Sequence, residues 1–185
     1  MNAESNNPQQ PGVMSTSLIK NLIDNYRQNH LSTINNNLGI EDAHSIWFDL
    51  PKLKKFISMI EEEALKTNPE TKEEDLGIRF YYASYPKVEN WSIMDSHPVP
   101  QEYAEKHTLV LIPTLKKINE EGISNHYDFN SLQADGNDKV LGLSAAKRGG
   151  PIIPTGPTGP SDDDGTIGEN SGTLIPPSPP FGESY

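Results

Sequence analysis

Eight of the sixteen prolines fall within Ala145–Tyr185, in the stretch AAKRGGPIIPTGPTGPSDDDGTIGENSGTLIPPSPPFGESY. Proline fixes φ and lacks a backbone donor, so neither a helix interior nor a central strand accommodates that density. GPTGPS has the look of collagen triplets, but two repeats are too few for a triple helix. The reading that follows is an extended, Pro/Gly-rich tail over residues 143–185. One part of it stands apart. TLIPPSPPF offers Leu174, Ile175 and Phe181 as apolar anchors, a segment able to dock on a groove of its own domain or of another. At the other end, residues 1–14 are mostly Asn, Gln, Pro and small side chains and read as a disordered N-terminus. A single domain is expected over residues 15–142.

That domain has little apolar material. The chain is 34% hydrophobic, against roughly 45–50% (glycine included) for average domains. The absence of cysteine removes disulfides, thiolate metal sites and cysteine nucleophiles together. No basic stretch followed by an apolar run opens the sequence, and no segment approaches the length of a membrane span, so a soluble, cytoplasmic protein is expected. The net charge of -11 divides into -1 for residues 1–16, -7 for 17–142 and -3 for 143–185. Such a surface repels phosphate backbones, which argues against nucleic acid as a partner.

Between the ends the periodicity is legible. SLIKNLIDNYRQNHL sets Leu18, Leu22 and Tyr26 on one stripe with Ile19 and Ile23 beside it, a helix over 17–30 that Ser15, Thr16 or Ser17 can cap. The asparagines and glycine of INNNLGIEDA then break it. HSIWFDL alternates Ile46, Phe48 and Leu50 against Ser45, Trp47 and Asp49 as a strand does. Pro51 opens a second helix over 52–66, with Leu53, Phe56, Ile57, Ile60 and Leu65 as its apolar face. In GIRFYYASYP, Ile78, Phe80 and Tyr82 point one way while Arg79, Tyr81 and Tyr85 point the other. HTLVLIPT, residues 107–114, is apolar on both faces and reads as the most buried strand. The connection over 86–106 is too long for a hairpin and has room for a short helix after Pro100. KVLGLS is a possible fourth strand. The fold class expected is α+β: a small mixed sheet of three to four strands, with the strand–helix–strand unit from His44 to Tyr85 as a right-handed crossover and two helices on one face.

The succession HSIWFDL, PKLKKFISMIEEEALK, GIRFYYASYP and TLVLIPT resembles a pattern found in small bacterial proteins of uncharacterised function. The resemblance covers His44 to Thr114. It implies no activity, cofactor or catalytic residue.

Strand alternation supplies the best candidate site. With the even-numbered side chains under the helices, Trp47, Asp49, Arg79, Tyr81 and Tyr85 emerge together on the opposite face. Asp49 is then expected to hold Arg79 in a bidentate, charge-assisted pair flanked by aromatic surfaces. That arrangement suits a planar or anionic ligand, and it suits a structural network equally. The histidines His30, His44, His97, His107 and His126 lack zinc-enzyme spacing. Asp42 with His44 and His126 with Asp128 are the pairs that would share a strand face. DFNSLQADGNDK has the composition of a calcium loop without its register. GIRFYYASY is only superficially like the base-stacking strand of RNA-recognition folds. No nucleophile elbow or phosphate-binding loop occurs, so no catalytic residue, metal or cofactor is assigned. The function expected is a non-enzymatic module that binds a protein or peptide through its aromatic sheet face, its Pro-rich tail, or both. The alternative is a small-ligand-binding protein or enzyme with its site at Trp47, Asp49, Arg79 and Tyr81.

Overall fold

The computed structural model describes residues 13–119, 121–129 and 167–176. The sequence's proposals for residues 1–12, for KVLGLS and for the tail over 143–166 and 177–185 lie outside them. The described chain is α+β, and it separates into two compact units: residues 13–45, 86–106 and 174–176 belong to one, and 46–85, 107–119, 121–129 and 167–173 to the other.

The first unit begins with α1 (Thr16–Asn25). Ser15 caps it, its hydroxyl accepting the Leu18 N–H at 3.3 Å. The asparagine-rich run does not stop this helix. It passes through a wider π-type segment, Tyr26–Leu31, into α2 (Ser32–Leu38). Here Ser32 and Thr33 turn their hydroxyls back on the carbonyls of Gln28 and Asn29, each at 2.6 Å, the local bonding that lets polar side chains sit inside a helix. The true stop is Gly39, whose φ of 67° gives the left-handed C-cap that costs a Cβ-bearing residue most. In the same unit short 3-10 turns occupy Val88–Met94 and Gln101–Tyr103, the latter where Pro100 leads the sequence to expect one. The Lys106 ammonium donates to the Glu41 carbonyl, and the buried Tyr103 hydroxyl accepts the Leu174 N–H at 3.2 Å.

β1 (Ser45–Trp47) runs from the first unit into the second, where it is followed by α3 (Leu50–Thr67). Its buried stripe is Phe56, Ile60 and Ala64, one residue every helical turn. Ile57 and Leu65, expected on that face, are exposed. Three strands follow in the order β2 (Leu76–Ser84), β3 (His107–Ile118) and β4 (Ser124–Asp128), all antiparallel. The expected mixed sheet is therefore not formed. β1 does not pair with β2 in a parallel crossover; it pairs with β5 (Thr173–Ile175) in a separate two-stranded sheet. The reason is that β1 is only three residues long, and α3 begins at Leu50 before a longer strand can develop. Of the two expected helices, α3 alone lies in the unit that holds the three-stranded sheet.

Leu111 is fully buried at the centre of the core, with Phe56, Ile60 and Ile167, and with Phe48, Leu53, Leu76, Ile78 and Leu109 packed around them. In the register Ile78 faces Pro113 and Phe80 faces Leu111, so even-numbered β2 and odd-numbered β3 residues share the face that α3 covers. β3 carries the most buried positions of the three strands, as its doubly apolar pattern leads one to expect. Leu111→Ala should lower the unfolding free energy by about 2–5 kcal/mol, the usual range for a buried leucine truncation; urea titration followed by circular dichroism measures it, and a loss below 1 kcal/mol would contradict this core.

Candidate functional site

Arg79 and Tyr81 stand two residues apart on β2, on the face away from α3. Asp128, at the end of β4, shares that face, since it is level with Thr114 while Arg79 is level with Ile112. The Arg79 guanidinium forms an ion pair with the Asp128 carboxylate, and the Tyr81 hydroxyl donates to the other carboxylate oxygen. A second guanidinium nitrogen donates to the His126 carbonyl at 2.8 Å. The cation also lies 6.0 Å from the centre of the Tyr81 ring, within reach of its π face. The Asp128 side chain is 8% exposed and that of Arg79 40%. The hydrogen bond with Tyr81 and the negative charge of Asp128 both push the Arg79 pKa upward, so the guanidinium is locked in its charged form.

The expected partnership of Arg79 with Asp49 is not made. Asp49 is the N-cap of α3, its carboxylate accepting the Lys52 N–H at 3.1 Å. A carboxylate there satisfies an otherwise unpaired donor of the first helical turn and meets the positive end of the helix dipole. That helix covers the opposite face of the sheet from Arg79. Trp47 is exposed at the end of β1. Tyr85 is buried; its hydroxyl donates to the Asn170 carbonyl at 3.2 Å and accepts from Thr108 at 3.4 Å. Of the five residues proposed from alternation, the fold thus brings Arg79 and Tyr81 into contact.

Sequence reasoning missed Asp128 as the centre of this group. The signal was the His126, Asp128 pair of a strand, read there only as a possible metal pair. Seeing β4 needs the turn signal NEEG to be taken as a hairpin: Asn119 accepts the Gly122 N–H and donates its own to the Ile123 carbonyl, both at 2.9 Å. Among the described residues no group of three or more His, Asp or Glu is placed to hold a metal ion. In the other unit, the buried Nδ1 of His44 has no hydrogen-bond partner among the described residues. Burial, and then the positive charge of Arg27, push the His44 pKa below its ordinary 6.5, against a smaller opposing pull from its own backbone and from Glu41.

Compared with protein-family models, curated proteins and solved structures, the chain matches none of them.

The Arg79–Asp128 geometry gives a first test. Arg79→Ala leaves a nearly buried carboxylate with a single side-chain donor and should cost about 1–3 kcal/mol in urea unfolding. The Arg79→Ala/Asp128→Ala double variant should lose less than the two single losses combined, because the pair no longer leaves an orphaned charge; strict additivity would show that the contact does not stabilise the fold. A second test concerns His44. The folded chain favours the neutral imidazole while the unfolded chain takes its proton near 6.5, so this stabilising contribution is present above pH 6.5 and is lost as pH falls through the lower folded pKa. Unfolding free energies measured from pH 7.5 downward should fall more steeply for the native protein than for His44→Gln, and equal slopes would refute the assignment.

Proposed function

We propose that this chain is a non-enzymatic protein-interaction module that takes up an extended peptide along the outer edge of β2. One observation carries the reading: the Tyr82 side chain is 92% exposed and its strand neighbour Phe80 54% exposed, both on an edge strand.

The direction of the backbone groups follows from the ladder. Leu111 exchanges both of its backbone bonds with Glu169, at 2.8 and 3.1 Å, and the Pro113 carbonyl accepts the Phe129 N–H at 2.8 Å. Odd-numbered β3 residues therefore turn their backbone groups away from β2, and even-numbered ones turn toward it. Their partners on β2 are Gly77, Arg79, Tyr81 and Ala83. It follows that Ile78, Phe80, Tyr82 and Ser84 direct their N–H and C=O groups outward, and among the described residues no backbone hydrogen bond reaches them. The nine-residue register is unbroken by a bulge and β2 itself carries no proline, and the strand's one charge, Arg79, is already paired with Asp128. Folds that avoid edge pairing place lysine, proline or a bulge at such a strand. A free ladder flanked by two aromatic side chains suits an uncharged partner segment with apolar residues at alternate positions.

The reading with a small ligand at Trp47, Asp49, Arg79 and Tyr81 has weaker support, because Asp49 is committed to the helix cap and the guanidinium to Asp128. Peptides selected from a random display library against the full chain give the test. Binding should slow hydrogen exchange at the Phe80 and Tyr82 amides. Tyr82→Pro removes an outward donor without touching the β3 ladder and should weaken binding at least tenfold; peptides that bind the variant equally well, with protection elsewhere, would overturn the proposal.

A further inference from the structure

The other edge of the sheet is organised differently. β4 pairs with β3 from Ile118 down to Thr114, and Phe129 adds one more bond at Pro113. Two rungs further, at Leu111, the partner is Glu169. The chain thus leaves this edge and returns to it at almost the same place, running in the same direction, after the whole of residues 130–166. Pro113 stands at the junction, where its missing N–H leaves a rung half made.

The returning segment is held by side chains as well as by the ladder. Ile167 enters the core beside Leu111, Phe56 and Ile60. Glu169 makes the two backbone bonds and turns its carboxylate to the Ser171 N–H at 2.7 Å. The Asn170 carbonyl accepts from Tyr85. The Lys52 ammonium, reaching from α3, donates to the Ser171 hydroxyl at 3.0 Å and to its carbonyl at 3.2 Å. Gly172 passes so close to β1 and its extension that a Cβ there would lie 2.5 Å from Ile46 and 2.8 Å from Phe48, so only glycine fits.

Backbone pairing for affinity, one apolar anchor, two backbone carbonyls read by side-chain donors and one position restricted to glycine are the parts of a peptide-recognition site of the strand-addition kind. We infer that the β3 edge beside Leu111 is a peptide site for the pattern Ile-Gly-Glu-x-Ser-Gly, which residues 167–172 of this chain occupy in cis, and from which an external segment of the same pattern displaces them. Covalent attachment to the same chain keeps the segment at high local concentration, so the chain is closed against weak competitors and opens to strong ones. This site is independent of the β2 edge, which lies on the far side of β3.

The experiment uses the full chain with a specific protease site replacing residues 145–151. After cleavage, the C-terminal fragment should remain bound through size exclusion. A fluorescent peptide of residues 167–176, IGENSGTLIP, should then replace it, raising fluorescence anisotropy, while the β-sheet circular dichroism is unchanged. The same peptide carrying Gly172→Val should bind at least tenfold more weakly. Loss of the fold together with the fragment would make the segment a structural strand and overturn the inference. Failure of the peptide to enter, or equal binding of the valine peptide, would overturn it too.

Discussion

The structure of the second unit depends on β3 being paired along both edges. Its even-numbered backbone groups face β2, and its odd-numbered ones face β4, Phe129 and Glu169 in turn. A twelve-residue strand in the interior of a small protein must satisfy every buried donor and acceptor, because an unpaired one costs about as much as a lost hydrogen bond. Among the described residues, three pieces of chain far apart in sequence supply partners to it: β2, β4 with Phe129, and Glu169. Pro113, which has no N–H to give, falls on the edge where the partner changes from one piece to another, and leaves the β2 ladder intact.

The two faces of the sheet answer different demands. On one, Leu109 and Leu111 meet the Phe56 and Ile60 stripe of α3, and burial of apolar surface is the driving force. On the other, Asp128 sits nearly buried, and its charge is tolerated because Arg79 and Tyr81 both reach it. A buried carboxylate without such partners would be costly, which is why this polar group reads as part of the fold. α3 reaches far enough to cover Leu109 but not its register partner Tyr82. The aromatic edge that supports the proposed function arises from that mismatch between helix and sheet.

Each helix shows how local signals and long-range packing divide the work. In α3 the cap at Asp49, the proline in the first turn and the apolar stripe are all local, and they place the helix to within two residues of where the pattern sets it. In α1 and α2 the local signal misleads: asparagines that favour turns in isolation are carried inside a helix by hydroxyl and amide bonds to the preceding turn. The stop comes at Gly39, whose φ of 67° is left-handed.

By itself, the sequence determined the α+β class, α3 with its first-turn proline, and the strands that became β2 and β3, because period and propensity are properties of neighbouring residues. It also showed that Arg79 and Tyr81 share a face, since alternation is fixed by the pleat. It did not determine which carboxylate meets Arg79. Alternation pointed to Asp49, and only the tertiary structure assigns that carboxylate to a helix terminus and Asp128 to the guanidinium, through a hairpin that sets β4 beside β3. The same holds for Ile167–Thr173. Its composition reads as tail, yet the open rungs of β3 beyond Phe129 accept it, and a demand for hydrogen bonds on one strand is invisible in the residues that fulfil it.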